Sequence, residues 1–109
     1  MKASIILPTY NEHENIVDLI ERLSEVFTSL AIEYEVVIVD DNSPDGTADA
    51  VREHCTRIPR PVKLVVRKNE KGLATAMRTG IHNATGDVIV FMDADFSHPP
   101  SLVPLLYAA

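Results

Sequence analysis

Three short polar clusters interrupt an otherwise apolar sequence: Pro8-Thr9-Tyr10-Asn11-Glu12, Asp40-Asp41-Asn42-Ser43-Pro44-Asp45-Gly46-Thr47, and Asp93-Ala94-Asp95-Phe96-Ser97-His98. In the last, two carboxylates stand one residue apart after an apolar run. Residues two apart in extended backbone point to the same side, so Asp93 and Asp95 can converge on one hard cation. Mg²⁺ and Mn²⁺ prefer such oxygen ligands and fill the rest of their shell with phosphate and water. The plainer reading is an acidic turn ahead of a proline-started helix. In the second cluster, two adjacent acids close a β-branched run. Asp40 needs a partner if buried, and a base edge carrying N–H donors suits a carboxylate, which accepts bidentate hydrogen bonds. Asp45 or Thr47 is expected to cap the helix that follows. In the first cluster, Tyr10 offers an aromatic platform on a ligand-facing loop. The structural alternative is a strand-to-helix turn, with Pro8 ending the strand, Asn11 capping the helix, and Glu12 and Glu14 suited to its dipole.

A fourth segment, Arg67-Lys68-Asn69-Glu70-Lys71-Gly72, leads into a helical pattern. Lys71 and the helix N-terminus can meet a phosphate, whereas Arg67 and Lys68 read as a solvated basic loop. His13, His54 and His82 lack metal spacing and are expected at the surface. His98 adjoins the carboxylate pair, where it contacts a ligand or packs on the proline turn. The lone Cys55 reads as a small apolar residue on a helix. There is no nucleophile elbow, Walker loop or G-x-G-x-x-G.

These clusters need a scaffold that brings them together. Ala3–Leu7 is an apolar run but for Ser4 and reads as a buried strand. Ile16, Leu19, Ile20, Leu23, Phe27 and Leu30 fall at helical spacing. A strand over Tyr34–Val39 follows, then a helix marked by Ala48, Val51, Cys55 and Ile58 and ended by Pro59 and Pro61. Val62–Val66 is a third strand. Leu73, Ala76, Met77, Gly80, Ile81 and Ala84 mark a third helix, and Asp87–Met92 a fourth strand. Pro99 or Pro100 can open one more helix. The alternation predicts an α/β fold, a Rossmann-like three-layer α/β/α domain. Continuous apolar strands fit a mostly parallel sheet covered on both faces, and right-handed crossovers give the order 3-2-1-4. The first and fourth strands then flank a topological switch point. Ligands of open α/β sheets bind there, beyond the carboxyl ends of the strands, where the polar clusters lie.

The chain has 109 residues, 46% of them apolar and 24% charged, which fits a single domain over 1–109 with a real core. A net charge of −6 argues against general nucleic-acid binding. One cysteine excludes an internal disulfide framework and a cysteine zinc site. No run of 18 apolar residues suits a membrane span. The N-terminal apolar run is too short for a signal peptide.

In their order, the three clusters, together with Lys71-Gly72-Leu73-Ala74-Thr75-Ala76 and Ala84-Thr85-Gly86-Asp87, resemble glycosyltransferase family 2 and its GT-A nucleotide-sugar fold. The forms Ser43-Pro44-Asp45-Gly46-Thr47 and Asp93-Ala94-Asp95-Phe96-Ser97-His98 are most similar to the subgroup that transfers mannose to dolichyl or polyprenyl phosphate. The resemblance covers nearly the whole chain. It implies that Pro8, Tyr10 and Glu12 line the nucleoside pocket and that Ile38 and Asp40 hold the base. It implies that Asp93, Ala94 and Asp95 bind the sugar-nucleotide diphosphate, and that Asp93, Asp95 and Ser97 bind Mg²⁺ or Mn²⁺. The implied reaction moves mannose from GDP-mannose to a polyprenyl phosphate with inversion, at the cytoplasmic face of a membrane.

Domains of this kind are about twice as long. The acceptor half, with its basic residues and membrane contacts, is therefore expected to be missing, and the 109 residues alone are expected to be inactive and to self-associate through uncovered apolar surface. Two further readings come from other classes. A UDP-sugar transferase of the same family fits because Asp40 can pair with guanine or uracil. A receiver-like module or a non-catalytic nucleotide-binding fragment fits the length and alternation. A receiver, however, needs its acid pair after the first strand, where Pro8-Thr9-Tyr10 stands instead.

Overall fold

Four of the apolar runs become parallel strands, and the amphipathic segments between them become the helices that cross over. The computed structural model describes residues 1–69 and 72–92. Its elements are β1 (Lys2–Thr9), α1 (Ile16–Ser29), β2 (Glu33–Asp40), α2 (Thr47–Arg57), β3 (Val62–Val66), α3 (Leu73–Asn83) and β4 (Val88–Phe91). The sheet order is β3-β2-β1-β4 and every pairing is parallel, as the alternation predicts. The helix expected from Pro99 or Pro100 lies outside the described residues. Among the described residues, no helix is long and apolar enough to cross a membrane.

Alternation along the strands divides the core between two faces. Ile5, Leu7, Val36 and Ile38 pack with Ile16, Leu19, Ile20, Leu23 and Phe27 of α1 and Val51 of α2. Ile6, Val37 and Val39 face the other way, against Ala76 of α3. The two layers of helix leave β1 and β2 buried on both faces, which is why their central residues are apolar without a break. Phe27 stacks on Tyr34 with ring centroids 5.2 Å apart, tying the end of α1 to the start of β2.

Several expectations need correction. Pro8 does not end β1, which runs on to Thr9 opposite Asp40. Alternate residues of a parallel strand address alternate neighbours. Thr9 O accepts from Asp41 N on the β2 side, so Pro8 faces the β4 side. There the register stops at Ile6 opposite Phe91, and no ladder bond is lost to the missing N–H. Asn11 does not cap α1; Asn15 stands at the N-cap. Leu73 and Ile81, expected on the inner face of α3, are exposed. The close contact is made by Ala76 and Gly80 instead. A Cβ on Gly80 would lie 2.4 Å from Ile6 Cγ2, so α3 sits on β1 at a distance that excludes a side chain.

His54, expected at the surface, is buried. Its Nε2 lies 2.9 Å from Glu21 Oε2, and Arg60 Nε and Nη2 donate to the Glu21 carboxylate at 2.8 and 2.7 Å. Arg60, with help from His54, holds the Glu21 carboxyl down at about 2. Cys55 is half-buried against the core, and burial, reinforced by the Glu21 charge, pushes its thiol up. At the amino end of the sheet, Glu35 is buried in β2. Ser4 Oγ and Thr85 N each donate to its Oε2 at 2.6 Å, and Lys63 Nζ is 3.0 Å from Oε1. Burial works to raise this carboxyl, but the Ser4, Thr85 and Lys63 donors outweigh it and bring it to about 2.

Replacing Gly80 by Ala is expected to cost about 1–3 kcal/mol in urea unfolding, the range for overpacking. The cost should shrink in an Ile6→Ala background, where the clashing atoms are gone. Equal costs in both backgrounds would show that the contact is not what excludes the methyl. The depressed Glu35 carboxyl adds stability that is fully present above about pH 4.5 and lost as pH falls toward 2. Glu35→Gln should therefore lower stability at pH 7 and flatten its decline between pH 5 and 2. A variant with the wild-type acid limb would contradict this.

Candidate functional site

At the carboxyl ends of β1 and β2 the chain solves a solvation problem. Asp40 closes β2 and is fully buried, so its carboxylate must find donors. Thr9 Oγ1 and Ser43 Oγ donate to Oδ1 at 2.7 and 2.6 Å, and Ser43 N donates to Oδ2 at 2.9 Å. Asn42, in the left-handed region at φ 56°, turns the chain so that Ser43 comes back onto Asp40. These three bonds leave about one of the carboxylate's four acceptor positions. Asp40 has no exposed surface, so the bidentate base contact expected of it is not open in this structure, and only about one lone pair is left for a ligand that reaches it. Ile38, two residues earlier, is a core residue beneath α1 with no exposed surface, which corrects the expectation that its side chain meets a base.

The next loop is laced to the first by three consecutive backbone N–H groups. Asn11 N donates to Ser43 Oγ at 2.9 Å, Glu12 N to Thr47 Oγ1 at 3.0 Å, and His13 N to Asp45 Oδ2 at 3.1 Å. Asn11 sits at φ 57°, which turns the chain after Tyr10 toward these acceptors. Gly46, at φ 87°, supplies the left-handed residue ahead of α2. Asp45 Oδ1 in turn accepts from Thr47 N and Thr47 Oγ1, but the N-cap of α2 is Gly46, with no side-chain cap bond, rather than the expected Asp45 or Thr47. Partial burial works to raise the Asp45 carboxyl, but bonds from Thr47 and His13 outweigh it and hold it below its usual range. Of the residues expected to line a nucleoside pocket, Pro8 is half-buried, Tyr10 is 50% exposed, and Glu12 is half-buried with Asn15 Nδ2 on its Oε2. Tyr10 follows directly on the last residue of β1.

A further tie runs to β3 and α3. Arg67, read from sequence as solvated, is buried. Its Nη2 lies 2.6 Å and its Nε 2.8 Å from Asp41 Oδ1, and its Nη1 donates to Thr75 Oγ1 at 2.8 Å. The signal was available: Asp41 and Arg67 stand two and one residues past the ends of the strands expected over Tyr34–Val39 and Val62–Val66, which were expected to be neighbours, and their charges are opposite. Thr9 and Ser43 lay inside the clusters, but nothing in their types marked them as the donors to Asp40. Lys68 is exposed as expected.

Met92 N donates to Ile6 O at 3.2 Å, which carries β4 alongside β1 to the same end of the sheet. Asp93 follows next in the sequence. Asp93, Ala94, Asp95, Ser97 and His98, and likewise Lys71, lie outside the described residues. Among the described residues, no group of three or more His, Cys, Asp or Glu is placed to hold a metal ion.

Residues 4–109 match the profile of glycosyl transferase family 2. Over 109 residues the chain is 46% identical to the dolichol-phosphate mannosyltransferase of Pyrococcus furiosus, covering 100% of this chain and 30% of that protein. It is 40% identical over 108 residues to the enzyme of the same name from Saccharomyces cerevisiae, covering 98% and 40%. The chain thus spans 30–40% of the length of these curated relatives. Among solved structures, the mannosyltransferase PcManGT from Pyrobaculum calidifontis, in complex with GDP-Man and Mn²⁺, superposes with a TM-score of 0.72 at 34% identity, covering 94% of this chain and 30% of that one. TarS from S. aureus in complex with UDP-GlcNAc superposes with a TM-score of 0.78 at 29% identity, covering 99% and 30%.

Ser43→Ala removes the hydroxyl that both accepts from Asn11 N and donates to Asp40. It is expected to cost about 1–3 kcal/mol, because it leaves a buried carboxylate and a backbone N–H each short of a partner. Urea unfolding with an unchanged m-value checks this, and a loss below a few tenths of a kcal/mol would show the lacing to be incidental.

Proposed function

Because the chain belongs to glycosyltransferase family 2, we propose that it supplies the donor- and metal-binding part of a mannosyl transfer from GDP-mannose to a polyprenyl phosphate. The observation that carries this reading is the convergence at the carboxyl end of the sheet. The laced loops after β1 and β2 meet there, and β4 runs toward it, with Asp93-Ala94-Asp95 next in the sequence after Met92. The likeness to dolichol-phosphate mannosyltransferases over the full chain supports the choice of acceptor. The GDP-Man held by a structural neighbour supports the choice of donor.

In this reading Tyr10 stacks on the nucleoside, Pro8 and Glu12 border it, and the remaining lone pair of Asp40, buried before the ligand arrives, accepts one N–H from the base once the turns over it part. The lacing keeps the Tyr10 and Ser43 turns together, which limits the ordering cost that falls on binding. Asp93, Asp95 and Ser97 offer oxygen donors of the type that Mg²⁺ and Mn²⁺ prefer; the Mn²⁺ in PcManGT supports a divalent ion here. When bound, such an ion neutralises charge that builds on the departing diphosphate. The acceptor is a phosphate monoester with a second pKa of about 6, largely dianionic at pH 7, so none of this chain's residues need take a proton from it. Such an acceptor sets the reaction at a membrane surface, and we assign it to the cytoplasmic face. The TarS likeness favours a second reading, a UDP-sugar donor at the same site.

Calorimetric titration of GDP and of UDP, each with and without Mn²⁺, separates these readings. The mannosyl reading expects Mn²⁺-dependent binding with GDP preferred, and a loss of roughly tenfold or more in Asp95→Asn, the scale of a removed charged contact. A preference for UDP would move the assignment to the second reading. No binding of either nucleotide by the folded chain would overturn both.

A further inference from the structure

We propose that Arg67 is a positioning residue for the nucleotide pocket: its guanidinium fixes the loop that starts at Asp41 against the beginning of α3, and so sets the geometry in which the base is held. The inference rests on the donor-site reading above and adds to it a residue that need not touch the ligand.

The side chain of Arg67 is only 7% exposed, and that of Asp41 16%. Each guanidinium nitrogen has a protein acceptor: Nε and Nη2 reach Asp41 Oδ1, Nη1 reaches Thr75 Oγ1, and Nη2 also reaches Gly72 O at 3.1 Å. Gly72 N returns a bond to Asp41 Oδ2 at 3.3 Å. Arg67 N donates to Asp40 O at 2.8 Å. One residue thus grips both acids at the end of β2, Asp41 by its side chain and Asp40 by its backbone.

From there the path to the proposed ligand is short. Asp41 N is bonded to Thr9 O, Asp40 is bonded to Thr9 and Ser43, and Ser43 holds Asn11, the neighbour of Tyr10. A shift of Asp41 therefore moves both the base acceptor and the aromatic platform. The planar fork of Arg matches this set of acceptors at fixed angles, and the point charge of Lys does not. Arg67→Lys keeps the charge beside Asp41 while removing the fork, so it separates charge from positioning.

The test measures urea stability and the affinities of GMP and GDP, with Mn²⁺ present, for wild type and Arg67→Lys. Positioning of the base pocket predicts that both nucleotides lose affinity by the same factor, roughly tenfold at most, the range for groups that act through a network. Should Arg67→Lys not fold, Thr75→Val removes a single partner of the guanidinium and should show a smaller loss, again shared equally. A loss confined to GDP would mean that Arg67 touches the second phosphate directly, which overturns the positioning role. Reduced stability with unchanged affinity in the folded variant would make the clamp purely structural and also overturn it. A wild type that binds neither nucleotide refutes the donor-site reading itself, whereas a binding wild type with equally tight variants refutes the inference alone.

Discussion

A carboxylate at the buried end of a central strand cannot be left without donors, and the upper half of this molecule is organised around meeting that demand. Asp40 is fully buried, and the unmet cost of such a group is several kcal/mol or more. Thr9 on the adjacent strand and Ser43 on the following turn supply the donors. Because Ser43 also accepts from Asn11 N, the same hydroxyl that satisfies Asp40 fixes the turn after β1. Two loops that join different elements thereby become one surface, with Tyr10 at its rim.

The other end of β2 carries a second buried carboxylate, and the contrast is informative. Glu35 is neutralised by Lys63 and held by Ser4 and Thr85, an arrangement that joins β1, β2, β3 and the segment before β4. Its task is assembly of the sheet. Asp40 is satisfied by hydroxyls and an N–H, and its task is to tie the turns after β1 and β2 together. Between these two anchors the sheet is covered on one face by α1 and α2. On the other, α3 approaches so closely that Gly80 is required opposite Ile6.

The sequence made the architecture legible because its apolar runs are long and its breakers sharp. Continuous β-branched segments such as Tyr34–Val39 permit little besides a buried parallel strand, and four of them with helical stretches between admit few topologies. What periodicity could not show was the polar interior. His54 and Arg67 carry residue types that usually face water, and only tertiary partners, Glu21 and Asp41, make their burial tolerable. Pro8 was misread as a stop because its place in the strand depends on where β4 ceases to pair, which is a long-range fact. At the candidate site, residue types singled out Asp40 and Tyr10 for attention, while the bonds made by Thr9, Ser43 and Arg67 depend on distances that no spacing rule encodes.

The central claim is that donor binding occurs at the carboxyl ends of β1, β2 and β4, on the surface built around Asp40. Paramagnetic broadening of backbone amide signals by Mn²⁺, recorded with GDP present, tests it most directly. Broadening concentrated at the end of β4 and in the turns containing Tyr10 and Ser43, and dependent on GDP, is the expected result. Broadening centred on Glu35 and Thr85 at the opposite end of the sheet, or a pattern indifferent to GDP, would contradict it.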